Sequence, residues 1–105
     1  MGDDYDVEAI SITFMPETIT VTAGTTVRWV NAEAITHTLT SGAFTGVNAS
    51  TGIRDSETPD GLFDVTLAPK GQDGDTFEFT YETPGTYPYY CDIHLSMNAV
   101  VIVTD

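Results

Sequence analysis

The chain has 105 residues, 41% of them hydrophobic and 10% aromatic, enough for one packed core and too much for a disordered segment. Sixteen acidic residues stand against three basic ones, Arg28, Arg54 and Lys70, for a formal net charge of -13. Binding to nucleic acid or to anionic lipid rests on Lys and Arg neutralising phosphate, so this balance excludes nucleic acid as a partner and fits a basic protein partner or a saline habitat.

A single domain over residues 1–105 is expected at this length. No stretch approaches the ~18 apolar residues of a membrane span. The start, Met1-Gly2-Asp3-Asp4, lacks the charged-then-apolar pattern of a signal peptide, so the protein is cytosolic or a leader is missing. The only cysteine, Cys91, rules out an internal disulfide and leaves its thiol to be explained.

Short β-branched and aromatic runs recur at intervals of about ten residues between Gly, Pro, Asn and Asp, the pattern of an all-β sandwich. Val7 to Ile12 reads as the first strand. Thr18 to Thr22 alternates Thr with Ile and Val, which gives one buried and one wet face. Thr26 to Asn31 follows the Ala23-Gly24-Thr25 turn and sets Val27 and Trp29 on one face as a core pair. A short strand is expected over Thr36 to Thr40.

Ser41 to Gly61 is rich in Gly, Ser, Thr, Asn and Asp with few regularly spaced hydrophobes, and reads as a long surface excursion. Within it Asn48-Ala49-Ser50 has the form of a glycosylation acceptor, a motif short enough to arise by chance. Leu62 to Leu67, the strictly alternating Thr76 to Tyr81, Thr86 to Cys91 and Ala99 to Thr104 complete about eight strands. A tight connection, Asp92 to Asn98, joins the last two.

That connection carries the chemistry. Cys91, His94 and Met97 place a thiol, an imidazole and a thioether three residues apart on one loop, and a loop can aim at one point side chains that a strand would send to opposite faces. The other histidine, His37, lies more than fifty residues upstream, as expected if a neighbouring strand end closes the site. Taken singly, each residue is more often core filler or a hydrogen-bonded group than a ligand. Together, the only Cys and both His of the chain fall where one metal could collect them.

One thiolate, two imidazoles and a weak thioether form the trigonal set with a long axial ligand that blue copper sites use, whereas structural zinc usually takes more cysteines. A Cys nucleophile with a His base is the rival reading. It lacks an orienting partner and gives Met97 no role.

Pro84-Gly85-Thr86-Tyr87-Pro88-Tyr89-Tyr90-Cys91-Asp92-Ile93-His94 resembles the copper-binding segment of plastocyanin-like cupredoxins. Val27 to Asn31 followed by Glu33-Ala34-Ile35-Thr36-His37-Thr38 is similar to the family's first-ligand region, above all in amicyanins. Phe63-Asp64 and Leu67-Ala68-Pro69 resemble its middle segment, and the two-residue gap between His94 and Met97 is also amicyanin-like. Thr38 and Ile93 depart from the pattern, standing where Asn often follows the first ligand and Pro often precedes the second histidine.

The resemblance implies a Greek-key β-sandwich with one type 1 copper ion held by His37, Cys91, His94 and Met97. It implies a monomeric single-electron carrier between larger redox proteins, with electrons passing through His94 beneath an apolar patch that includes Leu95. It also implies work outside the cytoplasmic membrane, in the periplasm or on its outer face, with a leader or membrane anchor upstream of Met1. The alternative is a copper site whose axial position is open or water-bound and performs redox chemistry on a small molecule.

Overall fold

The computed structural model describes residues 5–105; Met1 to Asp4, read above for a leader, lie outside the described residues. Among the described residues there is no helix, and nine strands replace the eight expected. They are β1 (Tyr5–Ile10), β2 (Thr13–Met15), β3 (Thr18–Thr22), β4 (Thr25–Asn31), β5 (His37–Thr45), β6 (Ser56–Leu67), β7 (Thr76–Tyr81), β8 (Gly85–Tyr90) and β9 (Asn98–Thr104).

Two sheets form, with strand orders β2-β1-β4-β7 and β3-β9-β8-β5-β6. The parallel pairs β1 with β4 and β3 with β9 join strands that are not consecutive, so the sheets are built by crossovers rather than by hairpins alone.

Alternation drives the packing. Thr25, Val27, Trp29 and Asn31 of β4 point inward in turn, as do Ile19 and Val21 of β3. Trp29 is completely buried and ties the sheets together, its ring lying 5.9 Å from Phe77 in its own sheet and 5.6 and 5.3 Å from Phe63 and Tyr89 in the other. Truncating such an aromatic to alanine costs about 3–5 kcal/mol.

Two sequence expectations need correction. The first strand stops at Ile10, because Ser11 and Ile12 adopt φ values of 55° and 54° and turn the chain. The turn starts the short β2, which pairs back on β1. Second, Ser41 to Gly61 is no loose excursion: β5 runs on to Thr45, β6 starts at Ser56, and the two pair through Phe44 and Glu57 to Thr45 and Ser56. Only residues 46–55 connect them.

A register shift between Thr40 and Gly42 kinks this pair. Ser41 holds the kink, its hydroxyl accepting the Phe63 N–H at 2.8 Å and donating to Asp60 Oδ1 at 2.6 Å. Gly42 sits at φ 150°, where an added Cβ would lie 2.1 Å from the Thr58 carbonyl oxygen, so no side chain fits there.

Candidate metal centre

The register of the second sheet assembles the site. Thr40 of β5 lies opposite Tyr90 of β8, so in this antiparallel pair the first residue of β5, His37, falls beside the loop that leaves β8. The loop returns at once, since Tyr90 also faces Asn98 at the start of β9. Its tightness is held by two bonds of its own: the Cys91 N–H donates to Met97 O at 3.0 Å and the Met97 N–H to His94 O at 3.1 Å.

One potential ligand atom each from His37, Cys91 and His94 lie within 4.8 Å of one another. Cys91 Sγ is 3.5 Å from His94 Nδ1, and the two imidazole rings meet edge to face with centroids 4.9 Å apart. His37 and Cys91 are completely buried, while His94 is only partly so. Met97, on the same loop, is buried to the last atom within the core cluster.

Each ligand candidate is held by neighbours. His37 Nε2 lies 2.8 Å from Glu33 Oε1, and because a carboxylate only accepts, Nε2 carries the proton. Nδ1 therefore presents its lone pair, and it is buried with no hydrogen-bond partner among the described residues. Desolvation pushes the Glu33 carboxyl up, but the Ile12 N–H, the His37 ring and the Ser11 N–H more than offset it and hold it below the ordinary carboxylate range. The left-handed turn at Ser11 and Ile12 thus has a use: it aims the Ile12 N–H at Glu33 Oε1, 3.0 Å away.

The approach to His37 is set by Asn31, whose side chain is fully buried. Its Nδ2 donates to Ile35 O at 2.7 Å and Ala68 O at 3.0 Å, and its Oδ1 accepts the Glu33 N–H at 2.9 Å.

Thr38 supports the sulfur and the loop. Its backbone N–H donates to Cys91 Sγ at 3.3 Å, its hydroxyl donates to the same sulfur at 3.6 Å, and that hydroxyl accepts the Asp92 N–H at 2.7 Å. Together these contacts tie the sulfur and the start of the loop to β5.

The structure thus brings His37, Cys91 and His94 together, and Met97 follows on the same loop with its side chain in the core cluster. Sequence reasoning missed the supports Glu33, Asn31 and Arg54. The position of Glu33 four residues before His37 was a usable signal, as was the rarity of a cation such as Arg54 in so acidic a chain.

Comparison with known proteins agrees with this arrangement. A family model for copper binding proteins, the plastocyanin/azurin family, matches residues 3–104. The chain is 26% identical over 87 residues to a plastocyanin of Scenedesmus fuscus, covering 80% of this chain and 76% of that protein. Among solved structures it resembles a purple cupredoxin from Nitrosopumilus maritimus, with 23% identity and a TM-score of 0.70 over 95% of this chain and 99% of the other. It also resembles amicyanin from Paracoccus versutus, with 24% identity and a TM-score of 0.61 over 94% and 79%. At these identities the solved structures establish the fold, and the family model adds kinship over nearly the whole length. The chain belongs to the plastocyanin/azurin family of copper-binding proteins.

Proposed function

We propose that this protein is a type 1 copper protein that carries single electrons between redox partners, with His37, Cys91 and His94 holding the ion and Met97 as its weak axial ligand. The observation that carries the reading is the convergence of one thiol and two imidazoles within 4.8 Å. The fit of the donor set is supported by the orphaned His37 Nδ1, since a buried acceptor without a partner costs about 1–3 kcal/mol unless something such as a metal satisfies it. Bound copper supplies a one-electron couple between its cuprous and cupric states.

The chain's own part is to hold the ligands still. Glu33 fixes the tautomer and ring angle of His37, Thr38 supports the sulfur, and the main-chain bonds of Cys91 and Met97 close the loop. A frame so constrained changes little when charge on the metal changes, which lowers the barrier to electron transfer.

The complete burial of Met97 and the use of both its main-chain polar groups support a methionine that stays in place. They favour a carrier over a site with an exchangeable axial position. Electron entry through His94 is supported by its partial exposure and by the exposed neighbours Ile93 and Leu95. A basic redox partner meeting a monomer is supported by the net charge of -13. Work outside the cytoplasm rests on the family resemblance, and cell fractionation tests it.

The carrier function is tested by reductive and oxidative titration of the copper-loaded protein. Reversible cycling with one electron per chain supports it. Irreversible loss of metal on reduction contradicts it.

A further inference from the structure

Arg54 is one of three basic residues in the chain and is only 2% exposed. It sits in the connection between β5 and β6, and a cation is costly to bury unless its donors are used. Here they are. Nε donates to Glu57 Oε1 at 2.6 Å, Nη2 to Cys91 O at 2.8 Å, and Nη1 to Asn98 Oδ1 at 2.9 Å, His94 O at 3.3 Å and Met97 O at 3.5 Å. The guanidinium lies over the ring of Tyr90, 4.5 Å from its centroid, and the Arg54 main-chain N–H donates to Leu95 O at 3.0 Å.

The carbonyl oxygens of Cys91, His94 and Met97 are those of the three loop residues read above as ligands, and all three converge on one planar group. We propose that Arg54 is the positioning residue of the metal loop: its guanidinium sets the spacing of Cys91, His94 and Met97 before metal arrives, and its buried charge biases the loaded site toward the reduced state. The inference rests on the copper reading for its electrostatic half only.

The chemistry favours Arg for this task. A guanidinium presents several donors in a fixed plane, so the acceptors that satisfy it are themselves held in a fixed pattern, whereas a lysine ammonium is a point charge on a flexible stem. The loop from Cys91 to Asn98 has no proline of its own to stiffen it. Glu57, bonded to Nε, partly balances the charge and orients the fork. A nearby positive charge disfavours the more positive metal state, so removing Arg54 lowers the reduction potential and removing the charge of Glu57 raises it.

The test compares wild type with Arg54→Lys, Arg54→Gln and Glu57→Gln. Amide hydrogen exchange of the copper-free proteins is read at Cys91 and Met97, whose N–H groups close the loop, against Val101 in the centre of β9. In Arg54→Lys and Arg54→Gln the two loop amides should exchange about tenfold or more faster relative to Val101. After copper loading, the potential should fall in Arg54→Gln and rise in Glu57→Gln.

Loop and core amides that accelerate equally, or not at all, overturn the clamp, because a merely structural arginine acts on both alike. If Arg54→Gln does not fold, Arg54→Lys supplies the exchange result, and an unchanged potential in Glu57→Gln overturns the electrostatic half. A wild type that takes up no copper ends the copper reading but leaves the exchange result standing. Wild-type exchange in Arg54→Gln ends this inference but leaves the copper reading standing.

Discussion

Glu33 Oε1 lies 2.8 Å from Nε2 of His37 and thereby decides which nitrogen of that ring is free. The same oxygen accepts the Ile12 N–H at 3.0 Å, so the chain from a strained turn through a carboxylate to an imidazole is continuous. Glu33→Gln keeps an acceptor oxygen but removes the charge, and should raise the reduction potential with little loss of copper. Glu33→Ala frees the ring, and copper affinity should fall about tenfold or more, within the range usual for losing a ligand's outer partner. Competition titration against a chelator reads the affinity, and equal affinities in Ala and Gln variants would contradict the orienting role.

Met97 is expected to shape the site more than to hold it. Thioether is a weak ligand for cupric copper, so Met97→Ala should retain the metal while shifting the visible spectrum and potential. Added azide should leave the wild type unchanged and alter the Ala variant, where a coordination position has opened. Azide-induced changes in the wild type, with no effect of the substitution, would instead favour the open-site alternative.

The acidic surface should steer a basic partner. One of the three cations, Arg54, is buried, which leaves the exterior yet more negative. Association with a basic redox protein, followed by stopped-flow, should slow steeply as salt screens the attraction. Rates that stay flat with ionic strength would assign the acidity to solubility.

Alkaline pH should unfold the protein through its core tyrosines. Desolvation is the largest cause raising the hydroxyls of Tyr81 and Tyr89 well above their ordinary 10.0; Tyr89, Tyr87 and Asp60 add to it at Tyr81, while at Tyr89 the Trp29 side chain opposes it and Glu17 adds to it. A raised value in the fold means that the stabilisation is complete below pH 10 and is lost as pH climbs beyond it, by up to about 1.4 kcal/mol per pH unit for each group. Phenolate absorbance from these residues should therefore appear together with loss of strand circular dichroism. Phenolate formation by every tyrosine in an intact sandwich would contradict their burial.

How much of this was legible in the sequence varied with the kind of contact. Thr18–Thr22 and Thr76–Tyr81 were read to the residue because each has one wet face and one inward face, and alternation reports that directly. The β5 and β6 hairpin was not, because the outer half of β6, Ser56 to Asp60, lies largely exposed on both faces and shows no period. Cys91, His94 and Met97 stood out as rare residue types closely spaced, and His37 as the one other histidine of the chain. Glu33 is local to His37 but carries no signature apart from that spacing. Arg54 reaches acceptors 37 to 44 residues away, from Cys91 to Asn98, and only the register of β5, β8 and β9 brings them to it.

The central claim, that Cys91 is a thiolate ligand beside His37 and His94, is tested most directly by adding one equivalent of cupric ion to the protein and recording its visible spectrum. An intense thiolate-to-copper charge-transfer band should appear in the wild type and vanish in Cys91→Ser. A colourless one-to-one copper complex, or a Cys91→Ser variant that keeps the band, would contradict it.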